Sequence, residues 1–167
     1  MMKEKKLILD KAQIVQKVRR IAYEIYEQNY AEDGLVIAGI DDMGYKLAEL
    51  ILEEIKKIAK LPCHLVRIDI DKDASSQPSV QFSHIPKLKD LVVIIVDDVL
   101  NSGRTLIYAL DPFLKADVAK IQTAVLVNRS HNKFPIAVDY KGYELGTTIQ
   151  DHIEVQLTEE DYSAFLY

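Results

Sequence analysis

Two adjacent acids followed by a small-residue turn are the part of this chain with the most evident chemistry. Asp97 and Asp98 end an apolar run at residues 92–96, and the turn at residues 101–105 follows two residues later. Carboxylates in such a place can accept hydrogen bonds from vicinal hydroxyls, or bind Mg²⁺ directly or through water. We therefore take Asp97 and Asp98 as candidate catalytic and metal-binding residues.

The turn itself has the composition of a phosphate-binding loop. It joins a predicted strand to a predicted helix, so backbone N–H groups and the positive end of the helix dipole converge there. Its glycine allows close approach of the backbone, its hydroxyls can donate hydrogen bonds, and its arginine adds charge. A sugar phosphate would satisfy the acids and the turn together; the alternative is a capped turn without a ligand. The candidate binding residues are Asn101, Ser102, Gly103, Arg104 and Thr105.

The elements that must position these residues alternate along the chain. Apolar spacing predicts helices over about residues 10–30, 44–60 and 104–115. Short aliphatic runs predict strands at residues 35–40, 64–70, 91–98 and 120–127. This alternation is typical of an α/β fold with a doubly wound, mainly parallel sheet. Such sheets bind their ligands at the carboxyl ends of the strands, where the acids and the turn are expected.

Composition narrows the class of protein. The 167 residues carry a formal net charge of −5, and 49% of them are hydrophobic. This favours one globular domain over residues 1–167 and disfavours broad nonspecific binding to nucleic acid or acidic membranes. Because the sequence has one cysteine, Cys63, and no apolar run of transmembrane length, we expect no internal disulfide, no membrane anchor and a cytoplasmic location.

Two segments depart from the regular alternation. Residues 71–87 form a long polar stretch with two prolines, which is typical of a lid over a ligand or of disordered filler. Residues 128–167 contain short strand-like pieces, which we expect to fold back over the edge of the sheet.

The order of these features resembles a known signature. The segment VVIIVDDVLNSGRT is similar to the phosphoribosyl pyrophosphate (PRPP) motif of the type I phosphoribosyltransferases, in which two acids precede a short phosphate loop. The first predicted helix and the segments LVIAGIDDMGYKLAELI, AVLVNRSHNKFPIAVDYKG and IEVQLTEED resemble the family of bifunctional pyrimidine-operon attenuators and uracil phosphoribosyltransferases. The resemblance covers nearly the whole chain.

This resemblance implies a type I phosphoribosyltransferase fold, Mg²⁺ as cofactor, and PRPP with a nucleobase or nucleotide as partners. It also implies a homodimer or homotetramer, a lid at residues 71–87, and a small C-terminal hood over the base, formed mainly by residues 128–167. Arg129, just past a strand end, would contact phosphate or pyrophosphate, or else form a surface ion pair. The residues implied to bind pyrophosphate are Gly39, Ile40, Asp41, Asp42, Met43 and Gly44.

Three departures from the family's pattern bear on the reaction. Asp41 and Asp42 stand where the relatives have basic and small residues, and a like charge beside a polyanion costs about 1–4 kcal/mol unless Mg²⁺ bridges the two. The lid is shorter and less basic than the family's. Asn101 stands where purine-using members carry a titratable aspartate, so a pyrimidine such as uracil is the favoured base.

Three functions follow from this pattern. The first is a phosphoribosyltransferase that acts on a pyrimidine base and releases pyrophosphate. The second is a catalytically weak regulator that senses PRPP or a nucleotide. The third is an RNA-binding attenuator, for which Lys17, Arg19 and Arg20 offer a basic cluster. The negative net charge disfavours RNA, and a solvated helix face explains the cluster more simply.

Overall fold

Strands rich in valine and isoleucine alternate with amphipathic helices. The computed structural model describes residues 4–71, 80–84 and 86–167. Within these ranges the helices are α1 (Lys11–Asn29), α2 (Asp41–Ile58) and α3 (Arg104–Leu114). The strands are β1 (Lys6–Leu9), β2 (Leu35–Ile40), β3 (Cys63–Ile70), β4 (Val80–Phe82), β5 (Val92–Leu100), β6 (Lys120–Asn128), β7 (Tyr140–Glu144), β8 (Ile153–Leu157) and β9 (Tyr162–Leu166).

Six of these strands form the larger sheet, in the order β4-β3-β2-β5-β6-β7. Five of them run parallel, and β4 pairs antiparallel with β3 at one edge. The apolar residues of α1 and α2 pack into one buried cluster, and those of α3 pack into a second cluster on the other face. The prediction of a doubly wound, mainly parallel sheet is therefore confirmed.

The chain leaves β2 and β5 in opposite directions across the sheet. From β2 it crosses through α2 to β3, and from β5 it crosses through α3 to β6. Because β2 and β5 are neighbours, a crevice opens beyond their carboxyl ends, which is the usual ligand site of an open α/β sheet. Both strands form the centre of the core: every residue of β2 is buried, and in β5 only Asp98 is partly accessible.

A smaller antiparallel sheet, here called the hood sheet, has the order β1-β9-β8. Of residues 128–167, which are predicted to form most of the hood, β8 and β9 belong to this smaller sheet. β7 lies within residues 128–167 but belongs to the larger sheet, and β1 comes from the opposite end of the chain. β1 has only four residues and is mostly exposed, so its apolar pattern is too short to predict a strand; pairing with β9 forms it.

The structure moves one boundary that matters for the site. α2 begins at Asp41 rather than at residue 44, so residues 39–44 are the end of β2 and the first turn of α2, not an open turn. Two acids in a first helical turn interact favourably with the helix dipole. Asp41 has a φ of 51°, a conformation that aspartate adopts more readily than most residues.

Most of the predicted lid, namely residues 72–79 and 85, lies outside the described residues. Its described part includes β4. Among the helices described, none is long and apolar enough to cross a membrane.

Gly39 and Gly44 allow the tight junction between β2 and α2. A Cβ at residue 39 would lie 2.3 Å from the Cα of Tyr45, and a Cβ at residue 44 would lie 2.8 Å from the carbonyl oxygen of Val96 in β5. Backbone atoms, which cannot rotate aside, occupy both positions. α2 therefore has to move if either glycine gains a side chain.

We expect Gly39→Ala to lower the free energy of unfolding by about 1–3 kcal/mol, because the added methyl group forces α2 away from β2. Urea denaturation measures the change. Gly146→Ala is the matched control, since no described atom lies within 4 Å of a Cβ at that position. Equal losses of stability in the two variants would contradict the packing argument.

Candidate functional site

The carboxyl ends of β2 and β5 bring the two predicted motifs together. Gly44, in the first turn of α2, packs against the acid pair, since a Cβ there would lie 3.4 Å from Oδ1 of Asp97. Asp97 in turn lines a cavity with residues 99–106. Residues more than fifty positions apart in the sequence therefore border one crevice.

The two adjacent acids have different environments. Asp97 is buried, and its Oδ1 accepts a hydrogen bond of 3.0 Å from the backbone N–H of Asp98. Asp98 is partly accessible. β5 continues for two residues beyond this pair, so the acids lie inside the strand rather than at its end. Asp97 is thus the fixed member of the pair and lines the cavity, whereas Asp98 is the more accessible member.

These carboxylates fit a magnesium ion that is shared with a substrate. Nowhere in the described ranges do three or more His, Cys, Asp or Glu side chains come together to enclose a metal ion. Mg²⁺ is usually held by one or two carboxylates together with water and substrate phosphates. Asp97 and Asp98 match that incomplete set of protein ligands.

Residues 101–105, called here the phosphate loop after their predicted role, run from the end of β5 into the first turn of α3. Gly103 within this loop has a φ of 88°, in the left-handed region that glycine favours. A Cβ at this position would lie 2.6 Å from the side chain of Ile136. Gly103 is the N-cap of α3 and has no side chain to cap the helix, but Oγ of Ser102 accepts a 3.3 Å hydrogen bond from the N–H of Arg104. A cavity of about 60 Å³ lies here, with Asp97, Ser102, Arg104 and Thr105 among its lining residues.

A larger cavity of about 440 Å³ adjoins the phosphate loop. Asn101 and Ser102 line both cavities, so the two are neighbours on either side of these residues. The larger one is bordered by residues 129–133 and by Ile149, an apolar side chain that is 88% exposed at its rim. An exposed aliphatic side chain beside polar groups is suited to cover a flat heterocycle.

Arg129 holds the walls of this larger cavity together. Its buried guanidinium donates to Oδ1 of Asn101 (2.8 Å), to Oγ1 of Thr147 (3.0 Å), and to the carbonyl oxygens of Thr148 (3.2 Å) and Asp151 (2.6 Å). These bonds join the phosphate loop to the hood loop (residues 145–152). Arg129 is therefore a buried donor to neutral oxygens, and it does not form the predicted surface ion pair. Its N–H groups are directed at the protein in this structure and not at an open phosphate site.

Of the six residues predicted to bind pyrophosphate, the four that have side chains form two pairs. The side chains of Ile40 and Met43 pack into the apolar core and take no part in the site. The carboxylates of the other pair face β3: Asp41 accepts a 3.1 Å hydrogen bond from the N–H of Ile70, and Asp42 lies 2.7 Å from Nη2 of Arg67. The acids that depart from the family's pattern therefore have partners.

Arg67 is the residue of this region that the sequence motifs do not reveal. Its Nε also lies 2.8 Å from Oδ1 of Asp69, and the two carboxylates raise the pKa of the guanidinium. The sequence signal for Arg67 is the strand pattern, in which the charged residues Arg67 and Asp69 alternate with the buried positions 66, 68 and 70 of β3. The register of the sheet then places Arg67 opposite Gly39.

Comparison with known proteins identifies the class. The family model described as the phosphoribosyl transferase domain matches residues 5–160. The chain therefore belongs to the phosphoribosyltransferase family, a class of glycosyltransferases, and has the type I phosphoribosyltransferase fold.

Individual relatives agree with this assignment. The chain is 37% identical to the bifunctional protein PyrR of Clostridium kluyveri and to that of Bacillus velezensis; each alignment covers 96% of this chain and 94% of the relative. A hypoxanthine-guanine phosphoribosyltransferase from Bacillus anthracis has a TM-score of 0.73 at 20% identity, covering 85% of this chain and 83% of that one. The hypoxanthine phosphoribosyltransferase of Trypanosoma cruzi has a TM-score of 0.70 at 17% identity, covering 84% of this chain and 81% of that one. These two structures show the fold alone.

We expect Arg129→Gln to release the hood loop, because several carbonyl and side-chain oxygens lose their buried donor. The free energy of unfolding should fall by roughly 1–3 kcal/mol, and backbone amides of residues 145–152 should exchange hydrogen faster. Hydrogen–deuterium exchange with mass spectrometry measures this.

Lys133→Gln is the matched control for this prediction, because it removes one positive charge from the same cavity wall. If both variants leave exchange in the hood loop unchanged, Arg129 does not hold that loop.

Proposed function

We propose that this protein transfers the phosphoribosyl group of magnesium-bound PRPP to a pyrimidine base, with uracil as the favoured base, and releases pyrophosphate. The observation that carries the proposal is that two neighbouring cavities share lining residues beside the acid pair. A phosphate-sized cavity at the start of α3 and a larger one beside the hood loop share Asn101 and Ser102. One ligand with a phosphate at one end and a planar base at the other would fill both.

The residues that line the two cavities suggest where the phosphate, the ribose and the base of the ligand would lie. The 5′-phosphate would lie at the N-terminus of α3, where backbone N–H groups and the hydroxyls of Ser102 and Thr105 donate hydrogen bonds. The ribose hydroxyls would donate to the carboxylate of Asp98, while the buried carboxylate of Asp97 accepts from the backbone N–H of Asp98. The base would occupy the larger cavity beside Ile149.

In the reaction, a base nitrogen forms a bond to the anomeric carbon while the bond from that carbon to pyrophosphate breaks, and the nitrogen loses its proton to solvent. Positive charge develops on the ribose ring in the transition state. The fixed carboxylates of Asp97 and Asp98 stabilise that charge, and the loop and the cavity hold the two reactants in line. Magnesium, when bound with PRPP, would supply charge neutralisation for the pyrophosphate.

The preference for a pyrimidine depends on Asn101. Its Oδ1 accepts from Arg129, which leaves the amide NH₂ group as the part of the side chain that can face a base. An amide does not titrate near neutral pH, so it cannot exchange a proton with a purine nitrogen as a carboxyl group does. A carbonyl-bearing pyrimidine needs only a hydrogen-bond donor there.

The pairing of the basic residues on α1 favours this activity over RNA binding. Arg19 pairs with Glu54, and Arg20 pairs with Glu24 and donates to the carbonyl oxygens of Lys141 and Gly142. The net charge of −5 adds no long-range attraction for a polyanion such as RNA.

We expect purified protein with Mg²⁺ and PRPP to form uridine monophosphate from uracil, and to convert hypoxanthine much more slowly. Chromatography of the nucleotide products measures both rates. Faster conversion of hypoxanthine than of uracil would contradict the assigned base, and conversion of neither would favour a sensing role without turnover.

Asp98→Asn should weaken PRPP binding by about 1–3 kcal/mol, because its hydrogen bonds to the ribose lose their charge. Isothermal titration calorimetry with Mg²⁺ and PRPP measures the affinity. Asp33→Asn is the matched control, since this exposed residue precedes β2 at the opposite edge of the sheet. Unchanged PRPP affinity in Asp98→Asn would show that Asp98 does not bind PRPP.

A further inference from the structure

The proposed ligand has a second anionic end that the phosphate loop does not accommodate. If the 5′-phosphate lies at the start of α3, the pyrophosphate group reaches toward the first turn of α2, which borders the same crevice. That turn carries Asp41 and Asp42. A polyanion therefore needs a cation from another element at this place.

Arg67 on β3 is placed to be that cation. It is the register partner of Gly39, the residue just before the turn from β2 into α2. Its guanidinium lies 2.7 Å from Asp42 on α2 and 2.8 Å from Asp69 on β3, and its Cζ lies 5.8 Å from the centre of the Tyr45 ring. Groups from two elements thus fix its orientation at the edge of the crevice.

The guanidinium is both fixed and accessible. The Arg67 side chain is 34% exposed, and that of Asp42 is 81% exposed. Two of its several N–H donors are used by these carboxylates, and a guanidinium offers a planar set of donors that suits phosphate oxygens. An anion can approach this group from solvent without disturbing the core.

A purely structural role for Arg67, Asp42 and Asp69 does not account for two carboxylates on one exposed guanidinium. Exposed ion pairs contribute only about 0–1 kcal/mol to stability, so a link between α2 and β3 gains little from two carboxylates on one arginine. The packing of Gly39 and Gly44 already seats α2 on the sheet. The arrangement is better suited to holding a cation ready beside an anion site.

We infer that Arg67 binds the pyrophosphate group of the substrate, and that Asp42 and Asp69 hold its guanidinium in position until the ligand's oxygens accept hydrogen bonds from it. This inference rests on the proposed function. It supplies from β3 the planar hydrogen-bond donors that the first turn of α2 lacks, and it makes Asp42 a positioning group rather than a source of repulsion alone.

The test separates the two ends of the ligand by calorimetry. Ribose 5-phosphate is titrated first, and inorganic pyrophosphate with Mg²⁺ is then titrated into protein saturated with ribose 5-phosphate, so that the phosphate loop is already filled. Arg67→Gln should weaken pyrophosphate binding at least tenfold and change ribose 5-phosphate binding less than twofold. Arg67→Lys, which keeps the charge but not the planar donors, should give an intermediate loss.

Arg19→Gln is the matched control, because it removes the same charge from another exposed arginine paired with a carboxylate, on α1. It should leave both affinities unchanged. Equal pyrophosphate affinity in Arg67→Gln and Arg19→Gln would overturn the inference. Parallel loss of both ligands in Arg67→Gln would also overturn it, by showing that Arg67 only maintains the structure.

The outcomes for the unaltered protein distinguish this inference from the proposed function. Failure to bind ribose 5-phosphate would contradict the proposed function itself. Binding of ribose 5-phosphate without any binding of pyrophosphate would leave the proposed function in place and overturn the assignment of Arg67.

Discussion

The rest of the site depends on the direct passage from β2 into α2. Because Gly39 and Gly44 have no side chains, the first turn of α2 lies against the backbone of β2 and of β5. This contact sets the distance between α2 and the acid pair, and it turns Asp41 and Asp42 toward β3. A longer connection would separate the two strand ends between which the crevice forms.

This geometry is compatible with the proposed anion site in a protein that is acidic overall. The chain has a net charge of −5, so attraction must come from local groups. At one end of the proposed site the N–H groups of α3 provide a partial positive charge, and at the other the guanidinium of Arg67 provides N–H donors beside its two carboxylate partners. Both are held in place by groups that do not move with the ligand. A fixed donor is worth more than a flexible one, since its ordering cost falls on folding and not on binding.

Periodic and local features could be predicted from the sequence. The aliphatic run before Asp97 and the residues of the phosphate loop lie close together in the chain, so their spacing alone indicates a strand, a turn and a helix. Features that join distant segments could not be predicted this way. Asp42 and Arg67 are 25 positions apart, and their contact depends on the pairing of β2 with β3.

The same limit applies to other long-range features. The pairing of β1 with β9 joins opposite ends of the chain, and four mostly exposed residues carry too little pattern to indicate it. Tyr140 is another case. The sequence is compatible with a Tyr140 ring that covers a base and with one that fills the core. In the structure the ring is buried, and its hydroxyl donates a hydrogen bond to Oε1 of Gln122. The start of α2 at Asp41 depends on one left-handed residue, which helical periodicity cannot locate.

The phosphate loop and the hood loop share a single framework of hydrogen bonds. The carbonyl oxygen of Ser102 accepts from the N–H groups of Lys133 (2.9 Å) and Phe134 (3.1 Å), which ties the phosphate loop to the segment after β6. Arg129, at the start of that segment, donates to Asn101 and to the hood loop. The phosphate loop and the walls of the larger cavity are thus joined by the hydrogen bonds of Arg129 and Ser102. In the proposed function, the same bonds would therefore position both the base and the phosphate.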